Sequence, residues 1–194
     1  MIVLKLKQNL LYEVPSDVSL FNLKQYTLRI DANWHQSWPE LSFKLNTEMA
    51  FDLDILKSTM YPVIGAIYEV HKELGPGLNE YVYQEGLAMQ LEEDKIAFER
   101  EKEYTPIYHD RTMNAKYRLD FVCMDQIIVE CKAVEQLTVN HRAQLFNYMR
   151  LTKLPIGILV NFSQKSAVVE RYFLDIQKSE IMSMDGTVLT RFKK

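Results

Sequence analysis

Apolar positions recur along this chain with two periods, and the place where one gives way to the other divides it. Ile2, Leu4 and Leu6 alternate with polar neighbours, as do Tyr26, Leu28 and Ile30, and then Leu41, Phe43 and Leu45. A period of two predicts short strands, the second and third separated by residues 33–40 with Trp34, Trp38 and Pro39. From Ser58 the spacing becomes helical. Val63, Ile67, Val70 and Leu74 share one face, with Ser58 placed as the N-cap and Pro62 in the first turn, where a missing N–H breaks no bond. Gly75 and Pro76 end that helix, and Asn79 caps a second one running through Tyr83, Leu87 and Leu91 to about Asp94.

Beyond the two helices the period returns to two. Phe98 to Tyr108 reads as an extended strand broken by Pro106, and residues 109–114 (HDRTMN) as a polar turn. In the segment Ala115 to Cys123, Tyr117, Leu119 and Phe121 alternate with Arg118 and Asp120. Ile127 to Ala133 reads as a buried strand, and Thr138 or Asn140 caps a helix ending near Leu151. Pro155 then opens an apolar strand, Ile156 to Phe162, of the kind found inside sheets. The order predicts an α/β fold of three parts: a β-rich N-terminal extension over 1–55, a helix-bearing domain over 56–175 and a C-terminal tail over 176–194.

Composition narrows the class. With 194 residues, 47% hydrophobic and 25% charged, the chain has the profile of one globular core rather than of a disordered or fibrous protein. Its apolar runs are too short for a membrane span, and the first residues lack a secretory signal's uninterrupted apolar core, so a cytoplasmic protein is expected. Cys123 and Cys131 have neither CxxC spacing nor a histidine pair nearby, and read as reduced thiols. A net charge of -3 advertises no global basic field, although a local basic groove remains compatible with it.

The chemistry concentrates in IIVECKA. Glu130 and Lys132 lie two apart on a strand and share a face, while Val129, Cys131 and Ala133 point to the other. A hairpin turning at Met124, Asp125 and Gln126 sets residues whose numbers sum to about 250 opposite each other, which brings Asp120 against Glu130. Two carboxylates about 5 Å apart at an effective dielectric of about 20 repel by roughly 3 kcal/mol. Lys132 offsets part of this. A hard divalent cation with oxygen ligands, Mg2+ with Mn2+ as a substitute, would offset the rest and keep waters for chemistry. Taken alone, a D-x9-E-x-K spacing also describes a solvated surface hairpin; its setting, an apolar strand followed by a helix and another apolar strand, favours a site.

A family resemblance adds to this reading. GLNEYVY, Gly77 to Tyr83, matches the G-x-x-E-x-x-Y signature of the GxxExxY proteins, a branch of the PD-(D/E)XK nuclease superfamily. IYEVHKELGPGL, YRLDFV, IIVECKAVEQLT, HRAQLFNYMRLT and IGILVNF resemble that family's successive blocks, in order, from about Met60 to Phe162. The resemblance implies a restriction-endonuclease-like αβββαβ core, a central mixed sheet flanked by helices. It implies that Asp120 and Glu130 hold the metal with Glu80 helping to organise it, and that Lys132 stabilises the attacking water or the scissile phosphate. Gln144 and Tyr148, four apart on a helix, resemble the Q-x3-Y feature of RecB-like nucleases and would support the site or the substrate strand. His141, one turn earlier, and Arg118 are supporting or substrate-binding candidates, with Lys116, Arg142 and Lys153 as further cations for phosphate. Tyr83 is expected to pack, with a hydroxyl partner, rather than to react.

The expected activity is therefore metal-dependent phosphodiester hydrolysis on nucleic acid, DNA before RNA, with no membrane partner and with a homodimer as one option for assembly. The alternative is a binding or assembly module that keeps the nuclease fold without cutting. Residues 1–55 depart from the family pattern, and stand either as an accessory segment or as upstream sequence ahead of Met49 or Met60.

Overall fold

A computed structural model describes residues 2–5, 11–14 and 53–193. The chain divides after Ala50 into two units. In the first, β1 (Ile2–Lys5) pairs antiparallel with β2 (Leu11–Val14). The strands expected at 26–30 and 41–45 lie outside the described residues.

The second unit opens with α1 (Leu53–Leu74), which starts earlier than the sequence expectation. Leu53, Leu56, Met60, Val63, Ile67 and Val70 continue one apolar stripe at spacings of three and four, so the buried face extends upstream of Ser58. Ser58 is consequently no cap: its hydroxyl donates to the Ile55 carbonyl within the helix, at 2.8 Å. Pro62 lies well inside the helix rather than in its first turn, where the packed stripe outweighs a bond lost to a residue without an N–H. Leu74, assigned to the stripe, is exposed. The turn after it leads to α2 (Glu80–Glu93), capped as expected by Asn79, whose Oδ1 accepts the Val82 N–H at 3.1 Å.

Seven strands form one sheet: β3 (Phe98–Tyr104), β6 (Tyr117–Cys123), β7 (Ile127–Lys132), β8 (Ile156–Asn161), β9 (Val168–Asp175), β10 (Glu180–Ser183) and β11 (Val188–Arg191). Their spatial order is β11-β10-β9-β8-β7-β6-β3, antiparallel throughout except for the parallel pair β7–β8. That one parallel pair needs a crossover, which α3 (Val139–Thr152) supplies. The expected polar turn at 109–114 is instead a small hairpin of β4 (Ile107–Tyr108) and β5 (Arg111–Thr112). Its turn residues His109 and Asp110 take φ of 46° and 59°, the left-handed pair that a two-residue hairpin loop requires. Residues 176–194, expected as a tail, contain β10 and β11, which extend the sheet because Ile181 and Met182 have an apolar neighbour to bury against.

Each face of the sheet carries its own core. Phe121, Cys123, Ile127, Val129, Cys131, Ile156, Ile158 and Val160 pack with α1 and α2, whereas Val122, Ile128, Leu159, Tyr172 and Leu174 pack with Leu145, Tyr148 and Met149 of α3. Gly157 makes the second contact close, since a Cβ there would overlap Met149 Sδ. Both cysteines are buried and unpaired, and burial pushes the Cys123 thiol up to about 12. Among the described residues no helix is long and apolar enough to cross a membrane.

Candidate active site

Four elements meet at the C-terminal end of β7. The β6–β7 loop has Met124 and Asp125 in the left-handed region and a bond from Gln126 N–H to the Cys123 carbonyl at 3.1 Å. This turn sets the pairs Cys123↔Ile127, Val122↔Ile128 and Phe121↔Val129, the register expected from the spacing. At Asp120 side chain replaces backbone: its Oδ2 accepts the Cys131 N–H at 2.8 Å. One residue type thereby both ends the ladder and carries a carboxylate to the mouth of the site.

Glu130 sits in a strand that is buried along almost its whole length. Its Oε1 accepts from Lys132 Nζ at 2.6 Å and from Gln144 Nε2 at 2.7 Å. Its Oε2 is buried and has no hydrogen-bond partner, a costly state for a carboxylate oxygen. The side chain of Lys132, only 12% exposed, lies also 3.8 Å from Glu80 Oε1. Gln144 is held in turn by Tyr148, with Nε2 donating to the phenol oxygen at 2.9 Å. The sequence candidates Glu80, Asp120, Glu130, Lys132, Gln144 and Tyr148 thus come together.

The shared charge shows in their proton affinities. Burial, followed by the nearby Asp120, raises Glu130 to about 7, against the opposing pull of Lys132. Burial likewise raises Asp120, opposed first by the Cys131 N–H, and raises Glu80, opposed first by Lys132. For Lys132 burial acts downward, but Glu130, Glu80 and Asp120 together outweigh it, and its affinity for a proton rises. Three acids surround one ammonium, so two negative charges remain uncompensated when all are ionised.

The other candidates stand apart. Arg118 is exposed, with an ion pair to Glu101 at 3.6 Å, although its charge reaches Asp120. His141 has Nδ1 committed to the N-cap of α3, accepting the Thr138 N–H at 3.1 Å. Among the further cations, Lys116 pairs with Glu103 at 2.6 Å, and Arg142 is clamped on Glu170, its Nε at 2.8 Å from Oε2. Lys153 closes α3 in the left-handed conformation, with its ammonium over the Phe192 ring.

Asn161 is a supporting residue the sequence reading passed over. It is buried at the end of β8, opposite Lys132 in the parallel register, and both accepts from Val134 N–H at 3.1 Å and donates to its carbonyl at 2.7 Å. These bonds fix the backbone directly after Lys132. An asparagine ending an otherwise apolar strand, IGILVNF, was the available signal.

The GxxExxY residues have a physical role as well. Gly77 takes a φ of 98° in the α1–α2 turn, a conformation that favours glycine. Tyr83 OH donates to the Gly75 carbonyl at 2.7 Å and accepts the Leu78 N–H at 3.2 Å, and its ring stacks on Phe162 at 4.7 Å. Turn and helix start are therefore held to the sheet, which fixes where Glu80 stands. Tyr83 packs with a hydroxyl partner, as expected.

Fit to a cation can be judged from the oxygens. Glu130 Oε2 lacks a donor, and Asp120 Oδ1 has none among the described residues. Hard carboxylate oxygens in surplus suit Mg2+ or Mn2+. Among the described residues no three His, Cys, Asp or Glu side chains are drawn into a ready ligand cluster; Lys132, bonded to Glu130 at 2.6 Å, occupies part of the space between the acids.

The order α2-β3-β6-β7-α3-β8, with the acids and lysine where β6 and β7 end their pairing, defines a restriction-endonuclease-like α/β domain. A family model for the PD-(D/E)XK nuclease superfamily matches residues 57–172, and the chain belongs to that superfamily. No curated protein and no solved structure matches the chain.

Proposed function

We propose that this protein is a metal-dependent nuclease of the GxxExxY branch, hydrolysing phosphodiester bonds in nucleic acid, DNA before RNA. The observation that carries the reading is the Glu130 carboxylate: buried, orphaned at Oε2, and crowded by Asp120 and Glu80 beside a single lysine. A structural ion pair has no use for a surplus of acid, because buried uncompensated charge destabilises the fold.

In this reading Asp120 and Glu130 would hold Mg2+, or Mn2+ in its place, with Glu80 completing the acidic set. The ion would supply Lewis acidity and would ease the deprotonation of water at the site. The remaining work falls to the chain. Cys131 N–H orients Asp120, and Gln144, itself braced by Tyr148, orients Glu130. Lys132 places positive charge where negative charge builds on the phosphoryl oxygens, a contribution commonly of several kcal/mol. Water oxygen attacks phosphorus in line and gives up a proton to solvent, the bond to the leaving oxygen breaks, and that oxygen takes up a proton from solvent.

The test is a cleavage screen on single-stranded, duplex and flap DNA and on RNA, with and without Mg2+, with the Lys132→Ala protein as control. Cleavage that requires both the ion and Lys132 supports the proposal. Cleavage that persists at full rate in Lys132→Ala refutes it, and binding without cleavage on every substrate returns the alternative of a non-cutting module.

A further inference from the structure

The β4–β5 hairpin is an arm without a core. Within Ile107 to Tyr117, Ile107, Tyr108, Met113 and Tyr117 are exposed, Ile107 and Tyr108 by 69% and 65%. Isolated apolar residues on a surface need no explanation, but four along one arm do. The arm forms a two-stranded sheet of its own, closed at the base by the Met113 N–H to Pro106 carbonyl bond at 2.9 Å. Nothing in the folding of the domain accounts for apolar side chains at its tip.

Its base, however, is built into the site. Tyr104 and Tyr117 face each other at the start of the hairpin, and Tyr104 OH donates to the Leu151 carbonyl at the end of α3. The ring of Tyr117 meets that of Tyr148 edge-on at 5.9 Å. Tyr148 bonds Gln144, which bonds Glu130. An unbroken line of contacts therefore runs from the acidic site to the arm. Tyr117 is three residues from Asp120, about 10 Å along an extended strand. At the tip Tyr108 carries His109 edge-on at 4.2 Å, and Arg111 makes no ion pair among the described residues.

Exposed aromatic faces interleaved with an unpaired cation, continuous with a phosphodiesterase site, suit one kind of occupant. Unpaired bases stack on aromatic rings while the cation meets the phosphate chain, whereas a duplex hides its base faces. We infer that the β4–β5 hairpin grips single-stranded DNA on one side of the scissile phosphate, Tyr117 and Tyr108 taking bases and Arg111 the backbone, so that the preferred substrate is an overhang, flap or free single strand. This rests on the nuclease reading and specifies its substrate.

The test compares wild type with the Ile107→Ala/Tyr108→Ala and Arg111→Ala proteins. Affinity for a fluorescein-labelled dT 12-mer and for a 12-base-pair duplex is read by anisotropy in chelator, where no cleavage occurs. Cleavage of a single strand is then measured in Mg2+. The double variant is expected to bind the 12-mer at least fivefold more weakly, with duplex affinity unchanged and the loss of cleavage expressed in KM rather than kcat. A single-strand affinity within twofold of wild type would overturn the inference. So would an equal loss on duplex, or a hairpin whose substitution dissociates a dimer in sedimentation and leaves DNA binding intact. A wild type that cuts while both variants behave normally removes the arm's role alone; a wild type that neither binds nor cuts any nucleic acid removes the nuclease reading with it.

Discussion

Two polar clusters flank α3, and they differ in what they leave unsatisfied. Around Glu170, Arg142 donates from Nε at 2.8 Å and from its terminal nitrogen at 2.5 Å, and Tyr172 OH donates at 2.5 Å. One acid meets one guanidinium in a fork, with a phenol filling a remaining lone pair. Around Glu130 three acids share one ammonium, and one buried oxygen has no donor. The first arrangement staples the start of α3 to β9. The second leaves charge and lone pairs over, which is what a bound cation would use. Both clusters centre on a glutamate hydrogen-bonded by one cationic side chain; the balance of donors and acceptors separates them.

Substitutions should separate them too. The largest effect is expected from Lys132→Ala or Asp120→Ala, which should lower metal-dependent cleavage by about a hundredfold or more while the circular dichroism spectrum remains that of the folded protein. Arg142→Ala should do the reverse: denaturant unfolding should show a loss of about 1–2 kcal/mol from leaving Glu170 half-satisfied, with cleavage per folded molecule close to wild type. Such a loss of activity without loss of stability at Arg142 would erase the distinction.

Proton affinity offers a finer contrast. Because Glu130 is raised to about 7 in the folded protein from the ordinary 4.5, the unfolded chain gives up this proton at lower pH. Without metal, this residue's contribution to stability is therefore greatest below pH 4.5 and falls as pH rises toward 7. Glu130→Gln should melt higher than wild type at pH 8 in chelator and converge with it near pH 4.5, as followed by calorimetry across that range. Adding Mg2+ should raise the melting temperature of wild type more at pH 8 than at pH 6, since the ion competes with that proton. The smallest effect is expected at Tyr83→Phe, where loss of the bonds to Gly75 and Leu78 should cost about 1 kcal/mol in denaturant titration.

Much of the central fold follows from pattern. The buried runs of β7 and β8, the Asn79 cap and the summed register of the β6–β7 hairpin are local consequences of alternation and turn chemistry, and so is the shared strand face of Glu130 and Lys132. The misses have a common cause in longer-range packing. α1 begins at Leu53 because its stripe finds the sheet, against local signals from Ser58 and Pro62. β10 and β11 are short, and nothing within residues 180–191 reveals that a neighbouring strand is waiting. At the site, the convergence of Glu80 from α2 and Gln144 from α3 was reached through family resemblance, since spacing within one strand says nothing of elements far away in sequence. The Cys131 N–H bond to Asp120 and the Asn161 clamp join distant segments through backbone, and no side-chain motif marks them.

Calorimetric titration of Mn2+ into metal-free protein at pH 8 reaches the claim underneath all of this, that Asp120 and Glu130 converge on one divalent cation. A single saturable site in wild type, abolished in Asp120→Asn and in Glu130→Gln, is the expected result. Absence of binding in the folded wild type, or unchanged binding in both variants, would contradict it.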